Sequence, residues 1–161
     1  MSISSFQAGS TPRAPEAPKT PLESTDSMQP ARILVVDDDE GTRDLVAIAL
    51  QRRGHRVFGA GSTEEALERL RTESFDTVVT DLEMPPGEGG LVLAKRIADG
   101  PNVPVIVLTG KGDLDRAIHA IKAGVYDFLT KPAPGDVLAV AVERALRHRA
   151  LANEVIRLRA E

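Results

Sequence analysis

Four apolar runs in this chain lead directly into residues able to do chemistry. Asp37 and Asp38 follow "RILVV" (32–36), Asp81 follows "DTVVT" (76–80), Thr109 follows "VPVIVL" (103–108), and Lys131 comes just after "VYDFL" (125–129). Adjacent carboxylates repel one another, which is tolerated where they protonate, shift their pKa or share a cation. Hard oxygen ligands with room for water suit Mg2+, which keeps several waters and completes its octahedron with phosphate oxygen. A lysine across the site adds a point positive charge, a threonine hydroxyl adds a donor, and an aspartate beside the cation can attack phosphorus. The set points to phosphoryl transfer onto Asp81, helped by positioning and charge neutralisation. Taken alone, an Asp after a strand reads as a turn or cap residue, and Asp39 reads as a helix N-cap. The joint placement at four strand ends is what carries the site.

For those ends to meet, the runs must be neighbouring parallel strands. Together with "RVFGA" (56–60) they alternate with helical periodicities: Leu45, Ile48 and Ala49; Ala66, Leu67 and Leu70; Leu91, Ala94 and Ile97; Leu114, Ala117, Ile118 and Ile121. Of these five runs "RILVV", "DTVVT" and "VPVIVL" are rich in β-branched residues, as strands covered on both faces are. Gly54 and Gly124 stand just past helix ends, and Ser62 with Glu65 reads as a capping box. Five strand and helix pairs in strict alternation predict an α/β fold with a doubly wound parallel sheet, because parallel neighbours need helical crossovers. Such sheets bind ligands at the carboxyl edge where strand order reverses. In the order 2-1-3-4-5 the first and third strands are neighbours and their carboxylates converge. The last helix is predicted to run from about Gly135 to the end of the chain, longer than one domain requires.

Composition bounds the rest. The 161 residues suit one domain plus tails, and 42% hydrophobic with 27% charged residues is ordinary for a globular protein. A net charge of -4 offers nucleic acid no overall attraction, so no direct nucleic-acid binding is expected. Cysteine is absent, which excludes a disulfide framework and a thiolate metal site. No apolar run approaches the roughly 18 to 20 residues that span a bilayer, and the start of the chain lacks a signal-peptide pattern. A cytoplasmic location with no membrane partner is expected. Residues 1–30 are rich in Ser, Thr and Pro and are expected to form a disordered tail. His55, His119 and His148 are scattered and read as surface or packing residues, and Glu83 and Glu88 as loop charges.

From about Arg32 to Leu146 the chain resembles the receiver domain of bacterial two-component response regulators, through "ILVVDDD", "VVTDLEMP", "VIVLTG" and "AGVYDFLTKP". The resemblance implies a five-stranded, flavodoxin-like 2-1-3-4-5 fold. It also implies a phosphoryl group accepted at Asp81 from a phosphohistidine on a sensor histidine kinase or phosphotransfer protein. Mg2+ would be bound by Asp38, Asp81 and the backbone carbonyl of Glu83, with Asp37 acting through a metal-bound water. Lys131 and Thr109 would hold the phosphoryl oxygens, and Gly110 would leave room for them. On phosphorylation, the resemblance implies, Thr109 would move inward and Phe128 would follow from an exposed to a buried rotamer, changing the face of helix four, strand five and helix five. The Lys131–Pro132 peptide is implied to be cis. The protein would be a phosphorylation-operated switch, catalysing only its own phosphoryl transfer and hydrolysis. One departure is "PGEGG", which carries an extra residue before Leu91. Glu83 and Lys111 are expected to pair across the pocket mouth and hinder the attacking water.

An alternative is a haloacid-dehalogenase-like phosphatase, which also uses an aspartate nucleophile with Mg2+. That chemistry wants Asp-x-Asp, and here the second acidic position is Glu83. No Gly-rich loop follows the first strand and no Walker lysine motif exists. The expected organisation is a tail (1–30), a receiver domain (31–146) and a helical extension or linker (147–161) toward an output domain outside this chain. Ala141, Ala145, His148, Leu151, Val155 and Leu158 recur near heptad spacing. They suit either a short parallel coiled coil or one amphipathic packing helix. A homodimer through the helix 4, strand 5, helix 5 face and the C-terminal helix is the corresponding partner expectation.

Overall fold

The structure, a computed structural model, describes residues 30–84, 89–100, 102–110 and 112–160. Five strands, β1 (Arg32–Val36), β2 (Arg56–Ala60), β3 (Thr77–Asp81), β4 (Val105–Thr109) and β5 (Asp127–Thr130), alternate with five helices. The helices are α1 (Glu40–Gln51), α2 (Thr63–Thr72), α3 (Gly89–Ala98), α4 (Leu114–Lys122) and α5 (Gly135–Ala160). All strand pairs are parallel, in the order β2-β1-β3-β4-β5. The expected doubly wound sheet is therefore present.

Successive strand residues point to opposite faces, so each central strand feeds two cores. Leu34, Val36, Val78 and Val107 pack against α2, α3 and α4, while Ile33, Val35, Val79 and Ile106 pack against α1 and α5. Each such fully buried side chain contributes about 1.5 to 3 kcal/mol relative to exposure. Every residue of β3 and β4 is buried, as in strands covered on both faces, and this includes the polar Thr77, Thr80, Asp81 and Thr109.

Local signals act as the sequence indicates. Asp39 caps α1, its carboxylate accepting from the Thr42 N–H at 3.0 Å. Ser62 Oγ accepts from Glu65 N at 3.1 Å while the Glu65 carboxylate reaches back to Gly61 N at 2.9 Å. Gly54 and Gly124 adopt positive φ of 87° and 108° beyond α1 and α4, the left-handed conformation that ends helices.

The helix faces differ from their apolar pattern. In α1 the buried positions are Val46 and Leu50, whereas Leu45 is 71% exposed and Ile48 is also exposed. In α4 Ala117 and Ala120 are buried while Leu114, Ile118 and Ile121 are exposed. The apolar stripe on each helix is wider than the face its neighbours can cover.

In α5, Ala141 and Ala145 are buried within their own domain, so the first part of the heptad pattern is an intramolecular packing face. Leu151, Val155 and Leu158 remain exposed. Docking continues past Leu146: Arg149 pairs with Asp76 and donates from Nε to the Asn102 carbonyl at 3.0 Å, and the Tyr126 and His148 rings lie 5.3 Å apart. Tyr126 is thus a packing residue beside the second core. Residues 1–29, residues 85–88 of the extra-residue loop, and Lys111 lie outside the described residues. Among the described residues no helix is long and apolar enough to cross a membrane.

His55 is buried, and its Nδ1 accepts the Ala31 N–H at 3.3 Å. Burial holds the imidazole below its ordinary value of 6.5, with Glu143 opposing and Arg53 reinforcing the shift. As pH falls through 6.5 the unfolded chain takes up a proton that the folded chain refuses. Stability is therefore full above that pH and declines below it. Urea unfolding between about pH 5 and 7 should show this decline, and His55→Asn should flatten it.

Candidate functional site

Strand register brings the site together. Val36 lies beside Thr80, Asp81 beside Leu108, and Thr109 beside Thr130, so β1, β3, β4 and β5 end along one edge. One carboxylate oxygen from each of Asp37, Asp38 and Asp81 lies within 4.8 Å of the others. Asp37 and Asp81 are buried and Asp38 is exposed. Lys131 Nζ donates to Asp37 Oδ2 at 3.0 Å and pairs with Asp81 Oδ2 at 3.2 Å, bridging the two buried carboxylates.

The loops around this group are pinned by backbone contacts. Asp37 Oδ1 accepts from Asp39 N at 2.9 Å, and the Arg43 guanidinium donates to the Asp37 carbonyl at 2.8 Å. Glu83 N donates to Asp81 Oδ1 at 3.1 Å. The Lys131 N–H donates to the Thr109 carbonyl at 2.7 Å, and the Lys131–Pro132 peptide is cis. Thr109 is buried, and Phe128 is half-buried against the core shared by α2, α3 and α4. At Gly110 a Cβ would come no nearer than 3.6 Å to Asp113 Oδ2, an ordinary contact.

Burial raises the Asp81 carboxyl above its ordinary value of 3.8, a shift reinforced by the Asp37 charge and partly opposed by the Glu83 N–H and Lys131. Burial acts to lower Lys131, but its bonds and charge interactions with Asp37 and Asp81 outweigh this and raise it. The ionised form of Asp81 is thus under strain that additional positive charge would relieve. Three hard carboxylate oxygens, one of them on a solvent-exposed side chain, fit a divalent ion such as Mg2+ that retains waters.

Two arginines at the site escaped the sequence reading. Arg43 lies one helical turn after the Asp39 cap, a spacing that aims it back at the β1–α1 loop. Arg116, in the first turn of α4, pairs with Glu83 at 3.1 Å. Asp113 also lies against Glu83 and raises its carboxyl above the ordinary value of 4.5. The described partner of Glu83 is therefore Arg116; the expected partner Lys111 is outside the described residues.

Comparison with known proteins gives a consistent result. The response regulator receiver domain family matches residues 33–143. The transcriptional regulatory protein GlrR of Escherichia coli is 38% identical over 128 residues, covering 80% of this chain and 29% of that protein. The response regulator protein PilR of Pseudomonas aeruginosa is 42% identical over 123 residues, covering 76% of this chain and 27% of that protein. The chain thus spans less than a third of these curated relatives. Among solved structures, a response regulator receiver domain protein from Clostridium thermocellum superposes with TM-score 0.71 at 35% identity, covering 76% of this chain and 98% of that one. NtrX from Brucella abortus superposes with TM-score 0.76 at 36% identity, covering 81% of this chain and 30% of that one. The phosphatase alternative finds no support in these matches. Sequence, strand order and relatives agree, and the chain belongs to the receiver domain family of two-component response regulators.

Proposed function

We propose that the chain is a switch operated by Mg2+-dependent phosphorylation of Asp81, with a sensor histidine kinase or phosphotransfer protein as donor. The observation that carries this reading is the Asp37, Asp38 and Asp81 cluster at the carboxyl edge, bridged by Lys131. Asp37, Asp38, Asp81 and the Glu83 carbonyl would hold the ion, which supplies charge neutralisation for the transferring phosphoryl group. Asp81 offers a carboxylate oxygen to phosphorus, and its contact with the Glu83 N–H fixes which oxygen faces the loop. Lys131 and Thr109 would bind phosphoryl oxygens from the adjoining strand ends, and Gly110 leaves space beside them.

Thr109 and Phe128 would couple the pocket to the α4, β5 and α5 face. The half-buried Phe128 is consistent with a side chain that has a deeper position available. Exposed Leu114, Ile118 and Ile121 on α4, with Leu151, Val155 and Leu158 on α5, support a homodimer through this face and the C-terminal helix. The receiver unit at 31–146 would carry a docked segment of the extension as far as Asn153, through Arg149 and the Asn102–Asn153 contact.

Incubation with Mg2+ and acetyl phosphate should yield one phosphate adduct by intact mass. Asp81→Asn should remove it entirely, and sedimentation of the phosphorylated chain should show a larger species. An adduct that persists in Asp81→Asn would reject the acceptor assignment.

A further inference from the structure

The mouth of the acidic pocket carries a second charge cluster. The Glu83 N–H binds the acceptor carboxylate, while the Glu83 side chain reaches across to the Arg116 guanidinium on α4 at 3.1 Å. Asp113 is the N-cap residue of α4 but makes no side-chain capping bond to its own helix. Its carboxyl instead lies against that of Glu83 and stands 3.6 Å from where a Gly110 Cβ would be. Glu83 and Arg116 are 55% and 39% exposed, so their ion pair adds little to folding stability. Its position is the informative feature, because it spans from the acceptor loop to the helix that follows β4.

A small phosphoryl donor is anionic and must cross this rim to reach Asp81. Two carboxylates, Glu83 and Asp113, lie together here, and among the described residues Arg116 supplies the guanidinium paired with Glu83, so removing it takes positive charge from beside both. We infer that Arg116 is a positioning residue for phosphoryl transfer: from α4 it holds the Glu83 side chain at the rim and offsets the Glu83 and Asp113 charges, admitting an anionic donor to Asp81. This inference rests on the reading of Asp81 as acceptor. In the step it serves, an Asp81 Oδ forms a bond to the phosphorus of acetyl phosphate, the bridging P–O bond breaks, and acetate leaves with that electron pair.

The rim charge acts on anion and cation with opposite sign. Loss of Arg116 should slow phosphorylation yet tighten Mg2+ binding, whereas a general loosening of the pocket would weaken both. The full chain is compared with Arg116→Ala, Arg116→Lys, and Arg116→Ala combined with Asp113→Asn. Mg2+ affinity is measured by calorimetry, and acetyl phosphate uptake by intact mass at saturating Mg2+. Arg116→Ala should slow uptake about five-fold and tighten Mg2+ about three-fold, with both effects shrinking as salt is raised. Arg116→Lys should remain near the parent, and Asp113→Asn should reverse both changes. Uptake and Mg2+ affinity that fall together, or a charge rescue that fails, would overturn the inference. Should the parent itself take up no phosphate, the acceptor reading fails separately, and unchanged Mg2+ affinity in Arg116→Ala would still overturn this one.

Discussion

Gly90→Ala is expected to destabilise the protein by about 3 kcal/mol or more, the upper range for forcing an atom into a packed interior. A Cβ at Gly90 would stand 2.0 Å from the Asp81 carbonyl oxygen and 2.5 Å from that of Leu82, both backbone atoms at the end of β3. No side-chain rotation relieves such contacts, so α3 or the end of β3 must shift, and either motion displaces Asp81. Gly89→Ala should cost clearly less, since its nearest conflict is Thr63 Oγ1 at 2.9 Å, a side-chain atom with no hydrogen-bond partner among the described residues, and the Met84 carbonyl oxygen stands at 3.1 Å. Urea unfolding of both variants gives the comparison; equal midpoints would show that α3 does not depend on the close approach at Gly90.

Lys131→Met is expected to lower stability at neutral pH by about 2 kcal/mol, less than the full cost of breaking a buried ion pair because Lys131 is 28% exposed. The variant leaves Asp37 and Asp81 facing each other without the bridging ammonium. Lys131 has a raised folded pKa, so its contribution is fully present below 10.5 and is lost only as pH rises through the folded value. Asp81 behaves oppositely to an ordinary ion-paired carboxylate: with its folded pKa raised above 3.8, the folded chain binds a proton before the unfolded one does. Stability lost in Lys131→Met should therefore return in part on acidification, and also on adding Mg2+, which should stabilise the variant more than the parent. Unfolding titrations with and without MgCl2 test this. A variant as stable as the parent would mean that water already neutralises the pair.

Much of this molecule is legible in its sequence because the relevant physics is local. The apolar runs, the Asp39 and Ser62 caps and the glycine stops at Gly54 and Gly124 lie within a few residues of what they control. Strict alternation predicts the parallel sheet, and the order 2-1-3-4-5 implied by the family resemblance and observed here brings the strand ends that carry Asp37, Asp38, Asp81, Thr109 and Lys131 to one edge. The sequence also shows two adjacent glycines before Leu91, but not that Gly90 is the one pressed against the Asp81 and Leu82 backbone.

What the tertiary structure decided depends on how each helix is rotated about its axis. That rotation is fixed by the summed packing of a whole face, so Val46 and Leu50 turn inward while Leu45 and Ile48 stay in solvent. The same cause made Ala141 and Ala145 part of the domain core instead of a seam between chains. Arg116 met Glu83 and Arg149 met Asp76 across 33 and 73 residues of chain, distances at which sequence spacing carries no information about side-chain contact. The sequence by itself determined the elements and the acidic edge, because these follow from local periodicity and chain order; only three-dimensional packing could decide which charged side chains guard that edge.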